Sequence, residues 1–162
     1  MRTRYGIPHH LYTKPLTYGL KQDLQKFDLH VDLSSQNAVR LKSNELDVAL
    51  LSPIDYARNS SQYRLVPNIC VSSKVGNRTV LLHFRKGLWK INTVAADIGL
   101  TSELVLAKII LSEKYDTNPQ FIPMKPDPPL MLAKADAALL VGGPSLFSSL
   151  DSQCTIDLVE EW

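Results

Sequence analysis

The chain has 162 residues, 44% of them apolar, with 18 Lys and Arg against 16 Asp and Glu and a formal charge of +2 at pH 7. These figures suit one ordinary domain or two small lobes with a real core, and exclude a disordered or fibrous chain. No basic stripe is interleaved with aromatic residues, which speaks against a nucleic-acid partner. No apolar run approaches the ~18 residues of a membrane span, and the N-terminus has no secretory apolar core, so the default compartment is the cytoplasm.

In chain order, residues 4–7 read as a short strand that Pro8 ends before a polar loop over 9–14. Pro15 fits the first turn of a helix predicted over 16–27, with Leu16, Leu20, Leu24 and Phe27 turned inward. Residues 28–33 alternate with the period of a strand. A helix over 36–46 follows, with Ser35 as its expected cap. The run "DVALLS" suits a strand covered on both faces, and "SPIDYARNS" sets Ser52 and Pro53 as the cap and first residue of another helix, with Asp55 near its positive end. Strand, loop and hydroxyl-capped helix thus recur three times.

The middle differs. Residues 63–73 and 79–84 read as extended segments separated by a turn over 75–78, which we take as the passage from a first lobe (1–84) to a second (85–162). The rhythm then resumes: a strand over 93–96, a helix from 101 to about 115, a strand over 120–124, a short helix over 130–134, and the strand "ADAALLV" ending at Gly142, Gly143 and Pro144. "DLVEEW" begins a further helix.

Alternating strands and helices imply an α/β protein whose sheets are mostly parallel with right-handed crossovers. Ligands of such sheets bind beyond the carboxyl ends of the strands, where helix N-termini point unbonded amides. The loops carrying residues 9–14, Ser35, Ser52, Thr101, Ser102 and Gly142 to Ser145 all belong to that edge and are expected to converge on a cleft between the lobes. A helix start flanked by hydroxyls is a carboxylate receptor, although each hydroxyl also serves as an ordinary cap. His9 and His10, adjacent on an extended segment, are expected to point to opposite sides. With no carboxylate or cysteine at ligand spacing, they argue against a metal. Cys70 and Cys154 lack a CxxC spacing and are expected to be reduced, partly buried thiols without disulfide or zinc. Neither a GxSxG elbow nor a Walker lysine is present.

The segments "YTKPLTYGL", "ELDVALLSPIDYA", "LVPN", "TVLLHF", "DIGLTSELVLAKIIL", "ADAALLVGGPSL" and "DLVEEW", in this order, resemble the chorismate dehydratase family of the futalosine route to menaquinone. The resemblance runs through essentially the whole chain. It implies a two-lobed fold similar to type II periplasmic binding proteins, with a cleft between the lobes. It also implies a cytoplasmic lyase that removes water from chorismate to give 3-[(1-carboxyvinyl)oxy]benzoate without a cofactor. Tyr12 stands where the family has an active-site asparagine, and Thr79 where it has a serine; these two are the candidate catalytic residues. The candidate substrate-binding residues are Thr13, Ser35, Ser52, Arg78, Thr101, Ser102, Gly142 and Gly143, with Lys14 a further source of charge. Thr101 and Ser102 match the family's Thr-Ser, Ser52 its hydroxyl before the third helix, and Gly142-Gly143 replaces its Gly-Asp. Family members continue past the "DLVEEW" segment and return to the first lobe. Without that return, lobe one is expected to expose apolar surface and to associate with a second copy or a partner chain. The alternative reading is a non-catalytic binding protein for a small aromatic or enolpyruvyl carboxylate.

Overall fold

The structure is a computed structural model that describes residues 2–74, 76, 78–97, 99, 101–146 and 154–162, the side chains of Thr101 and Leu146 excepted. Two compact units divide between Ser72 and Ser73. The sequence places this division after residue 84. It falls earlier because residues 80–84, read as the end of the first lobe, pair with strands of the second unit.

The first unit is built on β1 (Thr3–Pro8), flanked by β2 (Phe27–Asp32) and β3 (Val48–Ala49), all parallel, in the order β2-β1-β3. Helices α1 (Lys14–Gln22), α2 (Ser34–Lys42) and α3 (Pro53–Arg58) follow the three strands in turn. The inner half of β1 is buried, and Gly6 lets α2 come close: a Cβ there would lie 2.8 Å from Asn37 Oδ1 and 2.5 Å from Leu46 Cδ1. The buried apolar side chains of this unit, among the described residues, are Ile7 and Leu46.

Three expectations change here. Thr17 of α1 and Thr13 just before it are buried, while Leu16 and Leu24 are exposed. The helix starts and stops earlier than the leucine spacing predicts, so Leu24 lies beyond its end and Phe27 opens β2. Ser35 is not a cap but the second residue of α2; the chain enters that helix through Leu33, whose N–H donates to Asp32 Oδ1 at 3.0 Å. Residues 63–73 form no strand and leave Leu65, Val66, Ile69 and Val71 exposed. Extended character alone makes no strand without a neighbour to accept its hydrogen bonds.

At the amino end of β1, Asp47 accepts from the Arg4 backbone N–H at 2.8 Å, from Nε at 3.1 Å and from the guanidinium Nη2 at 2.8 Å. The side-chain bonds from Arg4, then its backbone N–H, lower the Asp47 pKa to about 2. A carboxylate depressed on folding stabilises fully above its unfolded value and stops doing so as pH falls through its folded one. Acid titration of wild type and Asp47→Asn should therefore give stability curves that separate above pH ~4 and converge toward about pH 2. Parallel curves throughout would show that the pair contributes nothing to folding.

The second unit has five strands in the order β6-β5-β7-β4-β8: β4 (Val80–Phe84), β5 (Thr93–Ala96), β6 (Gln120–Pro123), β7 (Ala137–Val141) and β8 (Thr155–Asp157). Parallel pairs join β5 to β6 and β7, whereas β4 lies antiparallel between β7 and β8. Around them stand α4 (Thr101–Tyr115), α5 (Pro128–Lys134), α6 (Gly143–Leu146) and α7 (Leu158–Glu161). The alternation of β4 and β7 sends Leu82 and Leu139 to one face with Val94, Ala107 and Leu111. Leu140 and Ala138 go to the other, with Met131 and Ala135 of α5. This unit carries the protein's well-filled core.

Candidate functional site

Each sheet reverses its strand order next to the first of its parallel strands, β1 in one and β5 in the other. The chain leaves β1 to one side for β2 and returns to the other for β3; β5, β6 and β7 repeat the pattern. The crevice beyond the carboxyl ends at such a reversal is where ligands of open α/β sheets bind. That rule selects one edge in each unit.

In unit 1 this edge carries the loops after β1, β2 and β3, and with them Tyr12, Thr13, Ser35 and Ser52. Thr13 is 2% exposed, and its hydroxyl lies 2.8 Å from the Pro8 carbonyl and 2.7 Å from that of His10. A hydroxyl has one proton, so the two carbonyls share a single donor. Thr13 N–H adds a bond to His10 O at 3.2 Å. The hydroxyl predicted to meet substrate is thus spent on closing its own loop. Thr13→Val, which keeps the shape, should cost about 1–3 kcal/mol and raise hydrogen exchange over 9–13. An unchanged melting temperature would mean that the loop holds its form without this bond.

Ser52 accepts from the Asp55 N–H at 3.2 Å and donates to Asp55 Oδ2 at 2.7 Å, so it caps α3 as its sequence predicts. His9 and His10 do not diverge. Their rings stack at 5.1 Å, and the His10 ring stacks in turn on Tyr12 at 4.9 Å. Two rings leaving a tight loop, rather than a strand, are free of the strand's strict alternation.

In unit 2 the edge gathers the starts of β4, α4 and α6. Val80 pairs with Val141, the Gly142 N–H donates to Thr79 O at 2.8 Å, and the buried Ser145 hydroxyl lies 2.9 Å from Arg78 O and 2.7 Å from Gly142 O. Arg78 has φ 57°, a left-handed conformation that costs a side-chain-bearing residue roughly 1–2 kcal/mol. Asp157 holds it there: Oδ2 accepts the Arg78 N–H at 2.7 Å while Oδ1 caps α7 through Val159 N–H at 2.9 Å. The backbone is anchored on both sides and the Arg78 side chain remains exposed. A strained residue fixed from both sides is the usual condition of a functional position. Gly142 has φ 67°, which only glycine adopts without strain.

The Ser102 hydroxyl donates to Glu103 Oε2 at 2.8 Å. Thr101 begins α4, but its side chain lies outside the described residues, as do Ile98 and Leu100 before it. Upstream, Gly99 N–H donates to Asp97 Oδ1 at 2.9 Å, turning the chain toward the helix. At fifteen residues α4 presents a full helix dipole at this edge.

Arg78, Thr79, Thr101, Ser102, Gly142 and Gly143 are thereby brought to one edge of unit 2, and Tyr12, Thr13, Ser35 and Ser52 to one edge of unit 1. Sequence reasoning missed Asp157, whose carboxylate orients Arg78. The signal was present as an acidic residue before a helical run, but it was read only as a helix start. His83, mid-strand in β4, is also new. Its Nδ1 is 2.7 Å from Thr155 Oγ1, and burial, then the charge of Arg78, lower its pKa. Of the two thiols, Cys70 is exposed rather than partly buried. A surface depression of about 170 Å³ at Lys108, Thr117, Asn118 and Pro119 lies at the amino end of β6, away from the edge just described.

The sequence matches a family described as "Menaquinone biosynthesis" over residues 3–162. Among solved structures, the chain resembles protein AF1704 from Archaeoglobus fulgidus at TM-score 0.71 and 15% identity, covering 99% of this chain and 62% of that one. It also resembles the periplasmic aliphatic sulphonate binding protein SsuA from Escherichia coli at TM-score 0.50 and 13% identity, covering 97% and 59%. Such identities carry the fold, an α/β architecture of the periplasmic-binding-protein type, and the chain spans less than two thirds of either protein. Among the described residues no helix is long and apolar enough to cross a membrane.

Proposed function

We propose, from the premise that this chain belongs to the Menaquinone biosynthesis family, that it is a cytoplasmic chorismate dehydratase, forming 3-[(1-carboxyvinyl)oxy]benzoate. The observation that carries the reading is the family match over residues 3–162, joined to the gathering of Arg78, Thr79 and Gly142 at the switch-point edge of unit 2. Chorismate is a dicarboxylate, and in this proposal Arg78 and the start of α4, at the edge of unit 2, meet one of its carboxylates. Loss of one ring proton and one hydroxide leaves an aromatic ring, which supplies the driving force. The protein orients the diacid, excludes competing rearrangement, and assists proton removal or hydroxide departure through Tyr12 and Thr79. The exposed apolar side chains of unit 1 would be covered by a second copy or a partner chain.

Incubation with chorismate followed by mass measurement tests the reading, with a product lighter by one water as the expected result. Saturable protection against heat without turnover would favour a binding protein for the same class of ligand, a reading that Gly143, in place of a carboxylate, also supports. Absence of both would sink the proposal. Gly143→Asp adds a further check: a Cβ at Gly143 meets nothing within 4 Å, so stability should change by less than ~0.5 kcal/mol. Turnover should rise several-fold if a carboxylate there assists proton removal. An intact fold with unchanged turnover would place the proton acceptor elsewhere.

A further inference from the structure

The turn between β4 and β5 lies at the end of the second sheet opposite its carboxyl edge, because β4 runs antiparallel to β7 and finishes where β5 and β7 begin. Residues 85–92 make this turn. Leu88 and Ile91 are buried and pin it to the core, while Arg85, Lys86, Trp89 and Lys90 are exposed. Trp89 is 71% exposed, yet its backbone is held in a 3-10 turn, Leu88–Lys90, closed by Lys90 N–H on Gly87 O at 2.9 Å. Its indole lies over Gly87, where an added Cβ would stand 2.8 Å from ring atoms Cε2 and Cζ2. Part of the ring thus rests on backbone and the rest meets water. A tryptophan buried so little forgoes most of its hydrophobic gain, so folding does not account for its place.

Charge is gathered around the ring. No Asp or Glu occurs between Asp55 and Asp97, and three of the cations in that stretch, Arg85, Lys86 and Lys90, flank Trp89. The end of α5 joins them: Arg85 N–H donates to Asp136 O at 3.2 Å, and Lys134 stands in that helix's last turn. The Asp136 carboxylate is occupied, accepting Asn92 N–H at 3.1 Å, Thr93 N–H at 3.1 Å and the Thr93 hydroxyl at 3.0 Å. Lys86, Lys90 and Lys134 form no ion pair with a described residue. Glu113 and Asp116, exposed at the end of α4, bound the patch where that helix packs against the turn.

We propose that this turn is a docking face for the anionic surface of a phospholipid bilayer. The Trp89 indole sits at headgroup level, and Lys86, Lys90 and Lys134 meet the lipid phosphates and carboxylates. A fixed aromatic ring between cations fits a boundary that is apolar beneath and negative above. An acidic polypeptide would answer the charge and leave the ring in water. Docking here leaves the carboxyl edge of unit 2, at the other end of the same strands, open to its ligand. The proposal does not depend on which reaction occurs there.

The test is flotation of the whole chain with vesicles of phosphatidylcholine alone, or of phosphatidylcholine with about one third phosphatidylserine. The chain should float with the anionic vesicles only, and ~1 M salt should release it. In a Trp162→Phe background, which leaves Trp89 as the single tryptophan, emission should move to the blue on binding. Lys86→Gln and Lys90→Gln should each weaken partitioning about fivefold. Trp89→Ala should weaken it without altering its salt dependence. Arg78→Gln removes the same charge at the far end of β4, beyond a screening length of about 10 Å, and should leave partitioning unchanged; circular dichroism confirms the fold of each variant. Equal flotation with neutral vesicles, no flotation, an unshifted Trp89 emission, or partitioning that survives the double lysine variant would overturn the proposal. Retention on polyglutamate without flotation would also overturn it, in favour of an acidic polypeptide partner.

Discussion

Gly6→Ala should destabilise unit 1 by about 1–3 kcal/mol, the usual cost of forcing a methyl into a filled interior. The added Cβ would stand 2.5 Å from Leu46 Cδ1 and 2.9 Å from Asn37 Cγ, closer than real carbon contacts allow. Neither neighbour has somewhere to go: Leu46 is 2% exposed and Asn37 fully buried. Leu46 is also, with Ile7, among the buried apolar side chains of the unit's described residues, so moving it uncovers part of the unit's core. Gly19→Ala is the control. Its Cβ meets nothing within 4 Å inside α1, and removing a helical glycine should add about 0.5–1 kcal/mol. Both tryptophans, Trp89 and Trp162, lie in unit 2, so urea unfolding is followed by circular dichroism and by exchange of β1 and β3 amides. Equal midpoints for the two variants would show that α2 does not press on β1 as described.

Arg78→Gln should weaken chorismate binding about tenfold to 150-fold, the range for a charge-assisted bond of about 1.5–3 kcal/mol, with little change in melting temperature because the side chain is exposed. Arg78→Lys should recover part of this, since it restores the charge but not the planar fork. Arg78→Gly separates backbone from side chain. Glycine relieves the φ of 57°, so stability should hold or rise while affinity falls as far as in the glutamine variant. Full affinity in Arg78→Gly would remove Arg78 from the binding surface and leave its left-handed conformation as a feature of the turn alone.

Where local pattern and tertiary demand agree, the sequence is transparent. The strand over 93–96 and the helix from 101 to 115 fall where their patterns place them, as does the cap at Ser52, because each is decided by residues within one turn or one strand. Parallel pairing in the first unit also follows from alternation alone. What was illegible depends on partners distant in sequence. Leu16 and Leu24 have helical spacing, yet the buried positions are Thr17 of α1 and Thr13 just before it, whose hydroxyls satisfy backbone carbonyls locally. Residues 80–84 read as the close of one lobe and instead enter the other unit's sheet, a choice set by β7 and β8 more than fifty residues away. The same holds at the candidate site. Arg78 was legible as a charge in a turn, but its left-handed backbone and its hold by Asp157 join residues 79 positions apart. The stacked rings after β1 were hidden by the assumption that adjacent histidines diverge.

The central claim is that chorismate is held at the carboxyl edge of the second unit's sheet, and amide NMR titration with chorismate measures this most directly. The account predicts shifts at 78, 79, 102, 142 and 143 that saturate with a single dissociation constant. Saturable binding with none of these amides shifted would contradict it.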